Sequence, residues 1–202
     1  MQKMGTSYNS RGFTIVELLI VIVIIGIIAA LVIVAYSGIQ DRANNTQTET
    51  TVNAWRKALI QYATDSGSYP VASNACFNET NLTNCWPTAT ASTTLNNALR
   101  PYMGNKNPLP GPSLQQITNS WGPPRVGGGL YYNASATLNG TTHSYYVAYN
   151  IKGLVKCNMS GLLSMTAWPV FSSTPPSNGR STQDGSGNIT FCIAALPDPS
   201  TL

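Results

Sequence analysis

The chain has 202 residues, 43% of them hydrophobic but only 9% charged, and a net charge of +4. Soluble domains average about 25% charged residues, so this is neither a highly charged disordered chain nor a Glu/Lys-rich coiled coil, and its polar remainder excludes a polytopic membrane protein. Eleven Lys and Arg, seven Asp and Glu and a single His are too sparse for a nucleic-acid footprint or for elaborate acid–base chemistry. The apolar residues gather at one end. Leu18 to Tyr36 reads LLIVIVIIGIIAALVIVAY, 19 residues whose only polar side-chain group is the terminal hydroxyl, and the apolar segment as a whole runs from Phe13 to Ile39. About 20 apolar residues match a hydrocarbon core of roughly 30 Å, whereas the apolar part of a secretory signal spans about 7–15. A plain signal anchor is the simplest alternative, and Ala35-Tyr36-Ser37 imitates a signal-peptidase site. Lys3 and Arg11 precede the run and no carboxylate does, which places the N-terminus in the cytoplasm and the rest of the chain outside.

Glu17 is the anomaly of this segment. A carboxylate at the centre of a spanning helix costs about 2.5–3.5 kcal/mol. A first-turn position softens that cost, because the helix dipole returns about 0.3–1 kcal/mol. Glu17 is therefore either an interfacial carboxylate of no special role or a group that awaits a cation from another molecule.

The residues around it decide between these readings. Gly12-Phe13-Thr14-Ile15-Val16-Glu17-Leu18-Leu19-Ile20-Val21, followed by Ile25-Gly26-Ile27-Ile28-Ala29-Ala30, resembles the N-terminus of a type IV prepilin: a short basic leader ending in Gly, then Phe-Thr, then Glu fifth after the cut. The resemblance implies that a prepilin peptidase removes Met1 to Gly12 on the cytoplasmic side and methylates the new amine of Phe13. It also implies that Glu17 pairs with the Phe13 amine of a neighbouring subunit during assembly. Loss of Lys3 and Arg11 with the leader leaves a mature charge of about +2, so the basic balance is largely a topology and processing signal. Ala58 to Pro70, which ends Tyr62-Ala63-Thr64-Asp65-Ser66-Gly67-Ser68-Tyr69-Pro70, is similar to the end of the long helix in many pilins and pseudopilins.

A long helix is expected from Phe13 to Thr64, about 78 Å at 1.5 Å per residue. Its half up to Ile39 is apolar all round, a membrane or filament-core segment, and residues 40–64 form an amphipathic half. There Val52, Trp55, Leu59 and Tyr62 share one face, with Arg56, Lys57 and Gln61 largely on the other. Gly26 weakens the apolar half locally, and helix melting there is an open expectation. Asp65, Gly67 and Pro70 stop the helix. The globular head spans 40–202. Within it, 71–129 reads as a variable, loop-rich region with one short helix at Thr94 to Tyr102, capped by Ser92 or Thr93, with Leu95 and Leu99 on one face. Gly127-Gly128-Gly129 lacks the Lys-Ser/Thr of a phosphate loop. Strands are expected at Leu130–Ala134, Ser144–Ile151, Leu154–Asn158 and Asn188–Ala194, with Asn139-Gly140 as a hairpin turn and Lys152-Gly153 as a second. The fold class is thus α+β, a long N-terminal helix packed on a C-terminal antiparallel sheet of about four strands over 130–194, as in type IV pilins.

Cys76, Cys85, Cys157 and Cys192 lie on the outer side, where disulfides persist, and four cysteines allow three pairings. The preferred set is Cys76–Cys85, closing a local loop, and Cys157–Cys192, bracketing the Ser/Pro/Gly-rich excursion as in the C-terminal disulfide loop of many pilins. Their spacings lack the C-x₂₋₄-C of zinc sites. Asp184-Gly-Ser186-Gly-Asn188 alternates oxygen ligands in a C-terminal loop where secretion pseudopilins bind Ca²⁺, yet one carboxylate reads better as a Gly-rich turn. No metal or cofactor is expected. His143 has no nucleophile or orienting acid beside it, so no catalytic residues are assigned and the chain is not expected to be an enzyme. Trp86, Trp121 and Trp168 read as loop packing. Lys106, Arg125, Lys152, Lys156 and Arg180 are scattered, and a nucleic-acid partner is not expected. Asn78, Asn81, Asn133 and Asn188 head Asn-x-Ser/Thr sequons.

The function implied by the resemblance is a type IV pilin subunit. The membrane holds it before assembly, and copies of the chain, a prepilin peptidase, and an assembly platform with its ATPase are its partners. A pseudopilin of secretion or DNA-uptake machinery is the nearest alternative, and a signal-anchored binding module a distant one.

Overall fold

In the computed structural model the described residues are 12–72, 75–77, 90–106, 109–112, 116–117, 125–126, 129–138, 141–153, 155–159, 161, 182–183 and 189–202. The leader residues Met1–Arg11, Cys85, the three loop tryptophans, Asn78, Asn81, Gly127-Gly128, Asn139-Gly140, Arg180 and Asp184–Asn188 fall outside them. The chain divides into two compact units, Met1–Asp41 and Arg42–Leu202.

Helix α1 covers Ile15–Ser66, 52 residues, and continues unbroken through Gly26. In the first unit its described apolar side chains are exposed; Ile20 and Ile28 are each 55% exposed. In the second unit α1 is amphipathic. Val52, Trp55 and Leu59 are fully buried, joined by Ala58 and Ala63, while Tyr62 is half-buried and Lys57 and Gln61 are exposed. Gly67 ends the helix at φ +70°, donating its N–H to the Ala63 carbonyl at 2.8 Å. This is a left-handed cap that a Cβ would strain.

Two short strands, β1 (Ala75–Cys76) and β2 (Thr90–Ala91), then helix α2 (Thr93–Leu99), a 3₁₀ turn at Pro101–Met103, and the strands β3 (Gln116–Ile117) and β4 (Arg125–Val126) occupy the region expected to be loop-rich. Ser92 caps α2 by accepting from Leu95 N, and Leu95 and Leu99 are buried. The long hairpin is β5 (Gly129–Leu138) and β6 (Thr141–Lys152); β7 (Thr182–Gln183) and β8 (Ile189–Ala195) follow. The main sheet has the order β2-β1-β5-β6-β8-β7, and β3 pairs β4 separately. All neighbours are antiparallel except the edge pair β1–β2. A bulge shifts the β5–β6 register between Asn133 and Ala136. The class is α+β with a long helix and an antiparallel sheet, as expected.

Val155–Asn158, the described part of the strand expected at Leu154–Asn158, is not a strand. Gly153 turns at φ +85°, and the amides that a neighbouring strand would engage are held by side chains. Val155 N donates to Thr190 Oγ1 at 3.1 Å, and Thr190 Oγ1 donates to the Gly153 carbonyl at 2.7 Å. Asn158 N donates to Glu49 Oε1 at 3.1 Å. β8 takes the place beside β6 instead, over seven residue pairs from Tyr146↔Ala195 to Lys152↔Ile189.

The core forms where α1 meets one face of the sheet. Val52, Trp55, Ala58, Leu59 and Ala63 cluster with Tyr131, Val147, Tyr149, Ile151, Cys192 and Ala194. Those sheet residues alternate along their strands, as the two-residue side-chain period requires. Gly129 permits the close approach, because a Cβ there would meet Val52 at 2.5 Å and Phe77 at 2.6 Å. The opposite face is buried as well, through Leu130, Tyr146, Ala148 and Ile193.

Buried tyrosine hydroxyls tie the turn after α1 to the sheet. Tyr69 donates to the Pro197 carbonyl at 3.0 Å, and Tyr131 donates to the Pro70 carbonyl at 3.1 Å. Burial pushes the Tyr69 hydroxyl up to about 12, and it also raises Tyr131, Tyr146 and Tyr149. An unfolded tyrosine loses its proton near pH 10. Above that pH the unfolded chain binds fewer protons than the folded one, so stability falls as pH rises. Head stability is therefore expected to be insensitive to these groups below pH 10 and to drop steeply between about pH 10 and 12. Tyrosinate absorbance and circular dichroism will change together; early titration of these hydroxyls with an intact fold would contradict the account.

Cys157 and Cys192 are bonded, with Cα atoms 5.9 Å apart and a sequence separation of 35. Both are buried in the core cluster. Cys76 is disulfide-bonded too. A closed loop of this length is worth about 3–4 kcal/mol. Replacing Cys157 and Cys192 together by Ser is expected to lower the head's melting temperature by about 10 °C, measured calorimetrically; an unchanged melting temperature would show that packing alone holds the segment.

Candidate functional site

The first turn of α1 is built by a local exchange of hydrogen bonds. Gly12, Phe13 and Thr14 precede the helix, and Leu18 N donates to the Thr14 carbonyl at 3.2 Å. Glu17 N donates to Thr14 Oγ1 at 3.2 Å, while Thr14 N and Thr14 Oγ1 each donate to Glu17 Oε2 at 2.9 Å. This is a capping box, with Thr14 as N-cap and Glu17 three residues on, each satisfying an amide that the helix leaves open. Among the described residues Oε2 takes both bonds to the carboxylate, so Oε1 stays available. The Thr14-Ile15-Val16-Glu17 spacing carries the box in the sequence itself, yet sequence reading gave Thr14 no role beyond the motif.

Ile15–Val32 is long and apolar enough to cross a membrane, and none of it is buried within the chain. Phe13 is 84% exposed and Ile15 83%. Every large apolar side chain of this turn faces outward around one charged group. Such a surface is stable only in lipid or against other apolar surface.

The other candidate groups do not gather into a chemical centre. His143 is half-buried on β6 opposite Ala136. Among the described residues no three of His, Cys, Asp and Glu stand together in a way that would hold a metal ion. Lys106 and Lys152 are engaged through their backbones: the Lys106 carbonyl accepts from Arg100 at 2.6 Å, and Lys152 exchanges two bonds with the Asn45 amide, at 2.8 and 2.9 Å. Asn45 and Glu49, one turn apart on α1, thus fasten the end of β6 and the segment after it. Sequence reading missed both, since their partners lie 107 to 109 residues away.

Comparison with known proteins bears on the N-terminal region. Residues 7–33 match the family model described as the prokaryotic N-terminal methylation motif. The N-terminal third is similar to that of pilins and pseudopilins. It is 39% identical over 62 residues to a type II secretion system core protein G of Klebsiella michiganensis, covering 31% of this chain and 44% of that one. It is 43% identical over 61 residues to the type IV wide pilus major component PilA4 of Thermus thermophilus, covering 30% and 47%. A fimbrial protein EcpC of Eikenella corrodens is 38% identical over 65 residues, covering 32% and 42%. The chain spans less than half the length of these relatives. No solved structure matches it with significance. The α+β fold with its long N-terminal helix is in keeping with this likeness.

Proposed function

We propose that this chain is a type IV pilin subunit, made with a leader of Met1 to Gly12, cut between Gly12 and Phe13, methylated at Phe13, and polymerised from the membrane into a surface filament. The observation that carries the reading is the carboxylate of Glu17, held by Thr14 in the first turn of a helix whose apolar N-terminal segment, Ile15–Val32, is unburied within the chain. Before assembly the Phe13–Ile39 segment lies in the inner membrane, N-terminus inside and head outside. In the filament the same surface packs against like helices. Leaving lipid for such a core keeps apolar surface from water throughout. The methylated Phe13 amine of a neighbour then gives Glu17 a cation from outside its own chain. Copies of this chain, a prepilin peptidase, and an assembly platform with its ATPase are the partners.

N-terminal mass spectrometry of the membrane-inserted protein tests the processing step. A mature chain that begins at methylated Phe13 supports the reading; an intact Met1 defeats it and favours a signal-anchored module. The relatives named type II secretion system core protein G favour a second reading, a pseudopilin. Sheared surface material dominated by this chain in electron micrographs marks a pilin, whereas a secretion defect on deletion without such filaments marks a pseudopilin.

A further inference from the structure

The distal end of α1 presents an acid that its own helix disfavours. Asp65 lies in the last turn, which holds no basic residue. The carbonyl end of a helix carries about half a negative charge, so a carboxylate there adds to the negative potential. Asp65 is exposed, and its Oδ2 accepts from the Tyr102 hydroxyl at 3.0 Å. The Tyr102 ring meets Tyr62 edge-on, with centroids 5.9 Å apart. Gln61, Thr64, Asp65, Pro101 and Tyr102 line an open hollow of about 390 Å³. Thr64 Oγ1 is turned away, donating to the Ile60 carbonyl at 2.9 Å. A carboxylate, an amide and an aromatic ring around one opening suit a guanidinium, through charge-assisted hydrogen bonds and ring stacking. A lone carboxylate is too poor in oxygen ligands for a metal ion.

A matching cation stands on the same helix. Arg42 opens the Arg42–Leu202 unit and is exposed. Twenty-three residues of continuous helix separate it from Asp65, roughly 35 Å along the axis, so the two cannot meet within one chain. At 3.6 residues per turn they also lie about 140° apart around the axis. Complementary patches on nearly opposite sides of a body, displaced along it, are what a heterologous contact requires, and such contacts repeat as open helical filaments.

We propose that the Asp65 hollow of one copy receives the Arg42 guanidinium of a second copy displaced by about 35 Å along the helix direction. Each subunit then gives one cation and receives one, and the contact fixes the stagger between heads. The proposal rests on the filament reading above and adds a named pair of head residues to it.

The test uses the full chain in its native assembly system, beginning with filaments from the Arg42→Lys variant, which keeps the cation and supplies a primary amine. Carbodiimide activates the Asp65 carboxylate, the amine displaces the urea, and an amide forms with net loss of water. Because 35 Å separates the two positions within one chain, any such amide is intermolecular. A ladder of covalent oligomers with the residue 42–residue 65 linkage in its tryptic peptides is expected, and Asp65→Asn abolishes it while keeping an acceptor for Tyr102. Asp65→Arg and Arg42→Asp are each expected to lower the pilin in sheared filaments about tenfold, and together to restore it to within about twofold of native. Filaments that form without the linkage, or single reversals that assemble at native yield, overturn the proposal. A native chain that forms no filaments overturns the filament reading itself, and the contact with it.

Discussion

Replacing Glu17 by Ala is expected to leave the Gly12–Phe13 cut and the methylation of Phe13 intact and to lower filament yield at least about tenfold. The physical basis is the unequal cost of a buried pair and of one of its members alone. An ion pair taken out of water is close to neutral as a whole, but a member left without its partner costs about 3–5 kcal/mol. In the Ala variant every Phe13 amine drawn into the apolar core would be such a member. On the proposed reading the cut at Gly12 precedes assembly and does not draw on this pairing. Two further substitutions separate the charge from the capping box. Glu17→Gln keeps an oxygen that can accept from Thr14 N and Oγ1, since Gln also serves in capping boxes, yet it carries no charge; its filament yield is expected to match that of Ala. Thr14→Val removes the box and keeps the charge, at a cost of about 1 kcal/mol to the first turn, and is expected to slow assembly only modestly. The measurements are the mass of the mature N-terminus and the quantity of subunit released by shearing. Native filaments from Glu17→Gln would falsify the pairing role, because the hydrogen-bonding shape would then suffice.

The second large effect lies in the head. Trp55→Ala is expected to cost about 3–5 kcal/mol, the range for deleting a buried Trp or Phe side chain. Among the described residues Trp55 is the largest fully buried side chain. Its ring stacks on Phe77 with centroids 4.9 Å apart, and its indole N–H donates to the Pro110 carbonyl at 2.7 Å. The residue therefore joins α1 both to the turn after β1 and to the segment that follows α2. Truncation opens a cavity at the centre and strands a carbonyl, two costs that add. Trp55→Phe keeps most of the stack and loses the hydrogen bond, and is expected to cost about 1–2 kcal/mol. Urea unfolding of the two variants with matched m-values gives the comparison; an Ala variant within about 1 kcal/mol of native would show that the core closes over the gap.

Both effects were open to sequence reading to different degrees. The apolar run, the position of Glu17 and the helix stop at Gly67 are short-range patterns, each set by residues within one or two turns of one another. The Thr14–Glu17 box was equally local, so the spacing alone could have assigned Thr14 as the cap. The face of Val52, Trp55 and Leu59 followed from helical periodicity. Tyr62 was placed on that face but stays half-buried, because its ring turns toward Tyr102 at the end of the helix. β5 and β6 extend one to four residues further at each end than their sequence patterns suggest, and β8 ends one residue later.

The segment after β6 shows where such reading stops. Val155, Lys156 and Cys157 have the composition of a strand, and propensity places them in one. What overrides it is supplied from far along the chain: Glu49 from α1 and Thr190 from β8 take the amides, and Cys192 takes the sulfur. β8 can then pair with β6 along seven residues. The amino-acid order by itself determined the apolar helix, its lone carboxylate, the breaks at Gly67 and Gly153 and the α+β class, because those depend on spacing and on backbone sterics. The tertiary structure alone decided which strand lies beside β6, which helix residues clamp the segment after it, and that Asp65 meets Tyr102 in an open hollow. Those outcomes depend on side chains 35 to 109 residues apart competing for the same backbone groups and the same space, and no local pattern records which of them wins.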